Sequence, residues 1–375
     1  MLLILKPTDS CNADCVYCSA FYGDLPARKR MTIETFRLII DKASAYLRLK
    51  KKNRLQILWH GGEPLLMGPD FYKKVLQVCA ECSKRHDVEI RHIMQSNLHL
   101  LDEKAVPVIT GLLSRGAMSS SFDVVEGIRL AGSSSQKYME NFQKGFQRAV
   151  EAGIRVNAVY VVHKKSLDRM EDIIAFAREN PLYALRLNPL VKLGRAMNDP
   201  LENLYLSSRE WGEFLLDVYN YIKKGALAKP VAPFEEWGFF GQENGPKRMA
   251  LSCSHGLCMQ EILSFDSQGM AYGCGKMADI RIYPFGNISE HRFEDLLHHP
   301  QRIKILSRKV YLQNTLCSGC PYWEYCRGGC PMDGYKDGIF PYEKTFWCEG
   351  TRFFLEKAGA REKGPENDSH RIFQS

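Results

Sequence analysis

Cys11-Asn12-Ala13-Asp14-Cys15-Val16-Tyr17-Cys18 sets three cysteines in C-x3-C-x2-C spacing, directly after the first ten residues of the chain. Three thiolates on one short loop can hold three irons of a 4Fe–4S cluster. The fourth iron then lacks a protein ligand, and an open coordination position is what a catalytic metal needs. A zinc site and free thiols are the other readings of such a loop. Zinc wants a fourth local Cys or His, and the nearest His is His60.

Working outward, the loop follows a short apolar run over residues 2–5, closed by Lys6-Pro7, which reads as a buried first strand. Thr32 reads as the N-cap of a helix reaching about residue 49. The periodicity then predicts strands over 55–59, 88–94, 117–122, 155–162 and 184–188. They alternate with helices over 69–84, 102–114, 138–152 and 167–179. Six strands alternating with helices predict parallel βαβ units with right-handed crossovers. Ligands of such sheets bind at the carboxyl ends of the strands. There the sequence puts its unusual residues: His60-Gly61-Gly62-Glu63-Pro64 after the second strand, Ser96-Asn97 after the third, Asp123 after the fourth. Residues 189–206 read as irregular, with Gly194-Arg195, and Ser208 as the cap of a helix to about 224. Residues 228–245, rich in Pro, Gly and aromatics, read as a linker, and 359–375 as a polar, frayed tail.

The 375 residues, 45% hydrophobic and 25% charged, suit a globular chain of two domains. No run of about 18 apolar residues is present, so no membrane span is expected. The start is too short and too soon charged for a secretory signal, and a cytoplasmic protein is the expectation. In a reducing compartment disulfides are rare, so thirteen cysteines imply metal. The formal charge of +8 omits metal-bound thiolates. Three clusters, two fully ligated, would leave about +3, so no nucleic-acid partner is expected.

The cysteine loop, with Tyr17 before its last Cys, resembles the signature of the radical S-adenosylmethionine (SAM) enzymes, over about residues 1–190. The resemblance implies a partial (β/α)6 TIM-type barrel, an α/β fold. It also implies that the amino and carboxylate groups of SAM chelate the open iron. One electron then cleaves SAM to methionine and a 5′-deoxyadenosyl radical, which takes a hydrogen atom from the substrate. Gly61, Gly62, Glu63 and Pro64 resemble the family's GGEP motif. Two glycines let backbone approach a ligand closely, and Glu63 can accept a hydrogen bond from an ammonium group. Ser96 and Asn97 resemble the ribose-binding position, and Ser121 and Asp123 the S-x-D segment that reaches the SAM carboxylate or ribose. A plain strand-to-helix turn and ordinary polar strand ends are the bland alternatives.

Cysteines return after residue 250: Cys253, Cys258 and Cys274, then Cys317, Cys320, Cys326, Cys330 and Cys348. Eight suffice for two fully ligated 4Fe–4S clusters, or for zinc sites. Their pattern resembles the SPASM extension of radical SAM enzymes. That resemblance implies an inner cluster on Cys253, Cys258, Cys274 and Cys330 and an outer one on Cys317, Cys320, Cys326 and Cys348. The expected domains are 1–230 for the barrel with its helical segment and 231–358 for the SPASM domain. The expected cofactors are three 4Fe–4S clusters and SAM. Cys79 and Cys82, inside a helical pattern, read as structural, and His298-His299 as a surface pair.

Members with this extension mostly modify peptides or proteins, so the expected partners are a peptide or protein substrate and an electron donor such as flavodoxin or ferredoxin. The layout looks close to the anaerobic sulfatase-maturating enzymes, which make formylglycine. Those carry an Asp directly after the third inner-cluster Cys as a candidate base; here Gly275 and Lys276 follow Cys274. The first expectation is therefore oxidative maturation of a ribosomal peptide, by a cross-link for example. Sulfatase-type formylglycine formation, oxidation of a small molecule, and a non-catalytic electron-transfer or zinc protein are the alternatives. With so few residues before the cysteine loop, substrate recognition is expected at the barrel mouth, in the second domain or on a partner protein. The sequence names no catalytic base; Tyr22, Asp266, Tyr272 and Lys276 are site candidates that suit a structural role equally.

Overall fold

The structure, a computed structural model, describes residues 1–20, 29–113, 116–197, 199–240, 258–334 and 340–360. Its first half is a run of βα modules: β1 Leu2–Leu5, α1 Ile33–Leu49, β2 Arg54–Trp59, α2 Pro69–His86, β3 Glu89–Gln95, α3 Ala105–Leu112, β4 Met118–Ser121, α4 Ser135–Glu151, β5 Val156–Val162, α5 Met170–Glu179 and β6 Leu185–Pro189. There follow α6 Ser208–Lys223, β7 Val231–Ala232, α7 Phe234–Trp237, β8 Ile262–Phe265, β9 Met270–Tyr272, α8 Gly275–Ile280, β10 Gly286–Asn287, α9 Phe293–Leu297, α10 Pro300–Asn314, α11 Trp323–Cys326 and α12 Cys348–Lys357.

The helix starts follow local chemistry. Thr32 caps α1 by accepting the Thr35 N–H, and Ser134 caps α4 by accepting that of Lys137. The third helix starts three residues later than its periodicity suggests. The Asp102 carboxylate accepts the N–H groups of Lys104 and Ala105 and holds that stretch as a turn. Ser207, one residue before the expected cap, forms a capping box with Glu210.

The strands form one ten-stranded sheet in the order β10-β9-β8-β1-β2-β3-β4-β5-β6-β7. The pairings from β8 through β1 to β7 are parallel, while β9 and β10 are antiparallel additions. Strands β1 to β6 keep chain order, as a partial barrel requires, and the sheet stays open, with β7 and β10 at its edges. β1 is buried at every residue. β5 alternates buried and half-buried residues.

The chain forms two compact units. The first comprises the described residues of Met1–Tyr205, Ala226–Ala232 and Glu261–Ile303; the second those of Leu206–Gly225, Pro233–Gln260 and Lys304–Ser375. The units thus do not follow a single break near residue 230. β8, β9, β10 and α8 belong to the first sheet, because β8 takes the free edge of β1. Within the second unit α6 and α12 cross at two glycines: a Cβ at Gly212 would stand 2.3 Å from the Gly350 carbonyl oxygen. The Ser208 hydroxyl accepts the Gly350 N–H at 2.9 Å.

Candidate iron–sulfur and ligand site

The cysteine loop leaves β1 and is held in place by backbone. Asp14 N–H donates to Leu130 O at 2.7 Å and Val16 N–H to Ile128 O at 3.0 Å, so the segment after β4 braces it from one side. From the other side Arg195 N–H donates to Cys18 O at 3.0 Å. Gly194, at φ +60°, approaches so closely that a Cβ would stand 2.5 Å from that same oxygen. Arg195 also pairs with Asp14. Tyr17 packs into a small apolar cluster with Ile128, Leu190, Ala196 and Leu204.

The glycines after β2 act on chain rather than on open space. A Cβ at Gly62 would stand 2.0 Å from Ser10 O, and one at Gly61, at φ +123°, 2.8 Å from Thr8 O. Gly62 N–H donates to Thr8 O and Glu63 N–H to Ser10 O, at 3.0 and 2.8 Å. Backbone thus sits on backbone, and the turn carrying Glu63 is seated on the residues that lead into Cys11. Pro64 opens a short 3-10 turn whose carbonyl accepts the Tyr72 hydroxyl at 2.8 Å.

Glu63 is buried, and its carboxylate gathers the strand ends. It accepts the Ser96 hydroxyl at 2.8 Å, the Asn97 N–H at 2.7 Å and its own turn's Leu65 N–H at 2.9 Å. Burial pushes its pKa up to about 7, against those three hydrogen bonds, which favour the charged form. The Asn97 amide reaches Asn12 at 2.7 Å and the Cys11 sulfur at 3.9 Å. Glu63, Asn97 and Cys11, from three strand ends, therefore form one contact chain.

Asp123 lies deeper. It accepts the Tyr160 hydroxyl at 3.0 Å, the Val125 N–H at 2.9 Å and, at 3.4 Å, the Tyr17 hydroxyl, and His163 stands 3.2 Å away. Ser121 accepts the Gln95 amide at 3.2 Å. Sequence reasoning passed over two neighbours of the loop. Arg129 donates to the Cys15 sulfur at 3.7 Å. Lys6, fully buried at the end of β1, pairs with buried Asp279 of α8, which also accepts the Ser19 hydroxyl. The only sequence signal for Lys6 is a charge ending an apolar strand; Arg129 has none.

The three cysteines share one loop, and burial governs the thiols of Cys11 and Cys18. Burial, with nearby Glu63 and the other two thiols, pushes Cys11 up to about 12. Burial, with Cys15 next, pushes Cys18 up to about 11. Without a metal such sulfurs stay protonated near neutral pH; a bound metal deprotonates them outright. Cys11, Cys15 and Cys18 would hold three irons, and no fourth thiol among the described residues is recorded against them.

In the second unit Cys317, Cys320, Cys326 and Cys348 act on one another electrostatically. Burial raises Cys317, Cys326 and Cys348, the second of them up to about 12. Arg327, Gly328 and Gly329 all have positive φ. A Cβ at Gly328 would meet Leu312 at 2.4 Å, and one at Gly329 would meet Thr345 at 2.5 Å. Buried Arg308 ties this turn down, donating to the carbonyls of Gly328, Gly329 and Glu343. Of the inner set, Cys253 lies outside the described residues. Cys258 and Cys330 are buried in the second unit, and Cys274 caps α8 in the first. Among the described residues no three Cys, His, Asp or Glu side chains stand closely enough to grip a single metal ion.

The remaining candidates have local duties. Asp266 accepts the N–H groups of Gln268 and Met270 in the β8–β9 turn, and Tyr272 reaches it at 3.5 Å. Lys276 lies on α8, and Tyr22 falls outside the described residues. Cys79 and Cys82 are buried in α2. His298 is exposed, whereas His299 packs beside Phe285.

Comparison with known proteins adds two family matches and several relatives. The radical SAM superfamily pattern matches residues 5–177, and the SPASM iron-sulfur cluster-binding pattern matches residues 253–321. The serine-type anaerobic sulfatase-maturating enzyme of Bacteroides thetaiotaomicron is 21% identical over 364 residues, covering 90% of this chain and 84% of that protein. The solved structure of native anSMEcpe with bound AdoMet has a TM-score of 0.77 at 17% identity, covering 96% of this chain and 97% of that one. That of Streptococcus suis SuiB bound to precursor peptide SuiA has a TM-score of 0.61 at 16% identity, covering 93% and 75%. At these identities both structures speak for the fold. No helix among the described residues is long and apolar enough to cross a membrane.

Proposed function

Because this chain is an enzyme with a radical SAM domain and a SPASM domain, we propose that it oxidatively modifies a peptide or protein, and first of all a ribosomally made peptide. The observation that carries the radical SAM part of the reading is the contact chain from Cys11 through Asn97 to Glu63 across three strand ends, and the peptide substrate is supported by the peptide-bound structural neighbour. It sets three thiols, a buried carboxylate and polar strand ends at the mouth of an open parallel sheet, where such folds bind ligands. When bound, the cluster and SAM supply a 5′-deoxyadenosyl radical that removes a hydrogen atom. The residues of this chain do the rest. Glu63 offers a negative oxygen to an ammonium group, Gly62 lets its turn sit on the loop, and Asp123 locks Tyr17 and hence the last loop cysteine. Cys317, Cys320, Cys326 and Cys348 would hold a second cluster, which would supply electron-transfer capacity when bound.

Sulfatase-type formylglycine formation is the second reading, favoured by the relatives over nearly the whole chain. Gly275 separates the two. A Cβ there would meet only ordinary contacts with Ile4 and Lys6, at 3.7 to 3.9 Å. The fold accepts a side chain at 275, and this sequence supplies no carboxylate. The test incubates the reconstituted enzyme, dithionite and SAM with a precursor peptide encoded beside its gene and, separately, with a sulfatase peptide. Loss of two hydrogens from the precursor without a hydrazine-reactive aldehyde is the expected result. An aldehyde on the sulfatase peptide alone would replace the first reading by the second.

A further inference from the structure

Arg129 feels the Asp123 carboxylate only at longer range than an ion pair. Among the described residues no Asp or Glu lies within ion-pair distance of it, and its Nε is sealed from solvent with no hydrogen-bond partner. One terminal nitrogen donates to the Cys15 sulfur at 3.7 Å and to the Tyr138 hydroxyl at 3.3 Å. The guanidinium carbon stands 5.3 Å from the centre of the Tyr17 ring and 5.8 Å from that of Tyr138. Two aromatic faces are worth up to about 2 kcal/mol each to a desolvated cation. The residue is half-buried, and after the two tyrosines it is Cys15 and then Asp123 that act on its charge.

The placement is also fixed from both ends. Ile128 and Leu130, the neighbours of Arg129, accept the loop's own N–H groups from Val16 and Asp14. The Tyr138 hydroxyl is itself anchored on Ser121 O at 2.9 Å. The guanidinium is therefore pinned against one particular sulfur of the loop.

We propose that Arg129 is a positioning residue for the first iron–sulfur cluster: it matches its charge to the Cys15 thiolate and sets the cluster's reduction potential. The proposal rests on reading Cys11, Cys15 and Cys18 as the cluster ligands. A donor and a positive charge beside a ligating sulfur stabilise the electron-rich, reduced cluster, since hydrogen bonds to sulfur and local charge both set such potentials. Removing them drives the potential negative and makes the one-electron reduction harder.

The test uses the full-length reconstituted protein without SAM, titrated with dithionite and followed by electron paramagnetic resonance. The signal that vanishes in Cys15→Ala identifies the first cluster; if none vanishes, the ligand reading fails, independently of Arg129. Arg129→Met is expected to shift that signal's midpoint to more negative potential, and Arg129→Lys, which keeps the charge, to shift it less. Loss of the first cluster's iron from a folded Arg129→Met chain, with retention in Arg129→Lys, supports the same conclusion. Unchanged iron and unchanged midpoint in both variants overturn it. If SAM affinity alone then falls, the guanidinium serves an anionic group of the ligand instead.

Discussion

The cysteine triad of the first unit and the outer quartet of the second solve opposite problems. The triad, read as cluster ligands, has no fourth thiol recorded against it among the described residues. Its surroundings are a buried carboxylate at Glu63, an arginine on the Cys15 sulfur and an asparagine reaching Cys11. The quartet faces inward. Its four thiols act on one another, and Arg308 spends its donors on backbone carbonyls rather than on any ligand. On the proposed reading, the first region would leave a metal position accessible to a polar molecule and the second would close its cluster off. The difference teaches that cysteine count alone does not assign a role; the groups around the sulfurs do.

The sharpest way to break this contrast is to remove one cysteine from each region. Cys15→Ala should lower bound iron by about four atoms, one cluster's worth, and take 5′-deoxyadenosine release below detection. Cys320→Ala should lower iron by a similar amount and leave release without substrate intact. Iron analysis and chromatography of the nucleoside read both outcomes. Equal loss of release in the two variants would erase the distinction.

Glu63 gives a smaller effect. A hydrogen bond to a charged group is worth about 1.5–3 kcal/mol, so Glu63→Gln should weaken SAM binding about ten- to a hundredfold, by equilibrium dialysis. The same carboxyl also marks the ligand-free protein. Its folded pKa, about 7, lies above the ordinary value of 4.5. Between those values the folded chain holds a proton that the unfolded chain releases. Its contribution is thus complete below pH 4.5 and is lost as pH rises through 7, up to about 3 kcal/mol in all. Relative to Glu63→Gln, the wild-type chain should lose thermal stability over that window. A flat difference would mean that the carboxyl is not buried as described.

The smallest effect belongs to a cysteine outside both regions. Cys79→Ala should leave iron content unchanged and cost about 1 kcal/mol of stability, the common size for trimming a buried side chain. Lost iron would enlarge the metal chemistry to α2.

Much of the fold was legible because the βα modules carry their own periodicity and caps. Thr32 caps α1 by local chemistry that needs no tertiary context, whereas the Ser134 cap starts α4 at Ser135, three residues before the start its periodicity suggests. The strands β8 and β9 were not legible. Residues 262–265 form a short apolar run of the kind that suits strand or helix alike, and their place beside β1 is a pairing across more than 250 residues of chain. Arg129 was hidden for the same reason: its partner is the Cys15 sulfur, 114 positions away.

By itself the sequence determined which atoms could do chemistry here. Thiols at fixed spacing on one loop lie near one another in any fold, and glycines beside a carboxylate announce a tight turn. Tertiary structure decided what those atoms meet. Strand pairing brought Glu63, Asn97 and Cys11 into one contact chain and buried Glu63 enough to lift its pKa. It also turned Gly61 and Gly62 into a seat for Thr8 and Ser10 and set the Arg129 guanidinium on the Cys15 sulfur. Burial and charge are properties of the assembled neighbourhood, and they appear only once distant segments share it.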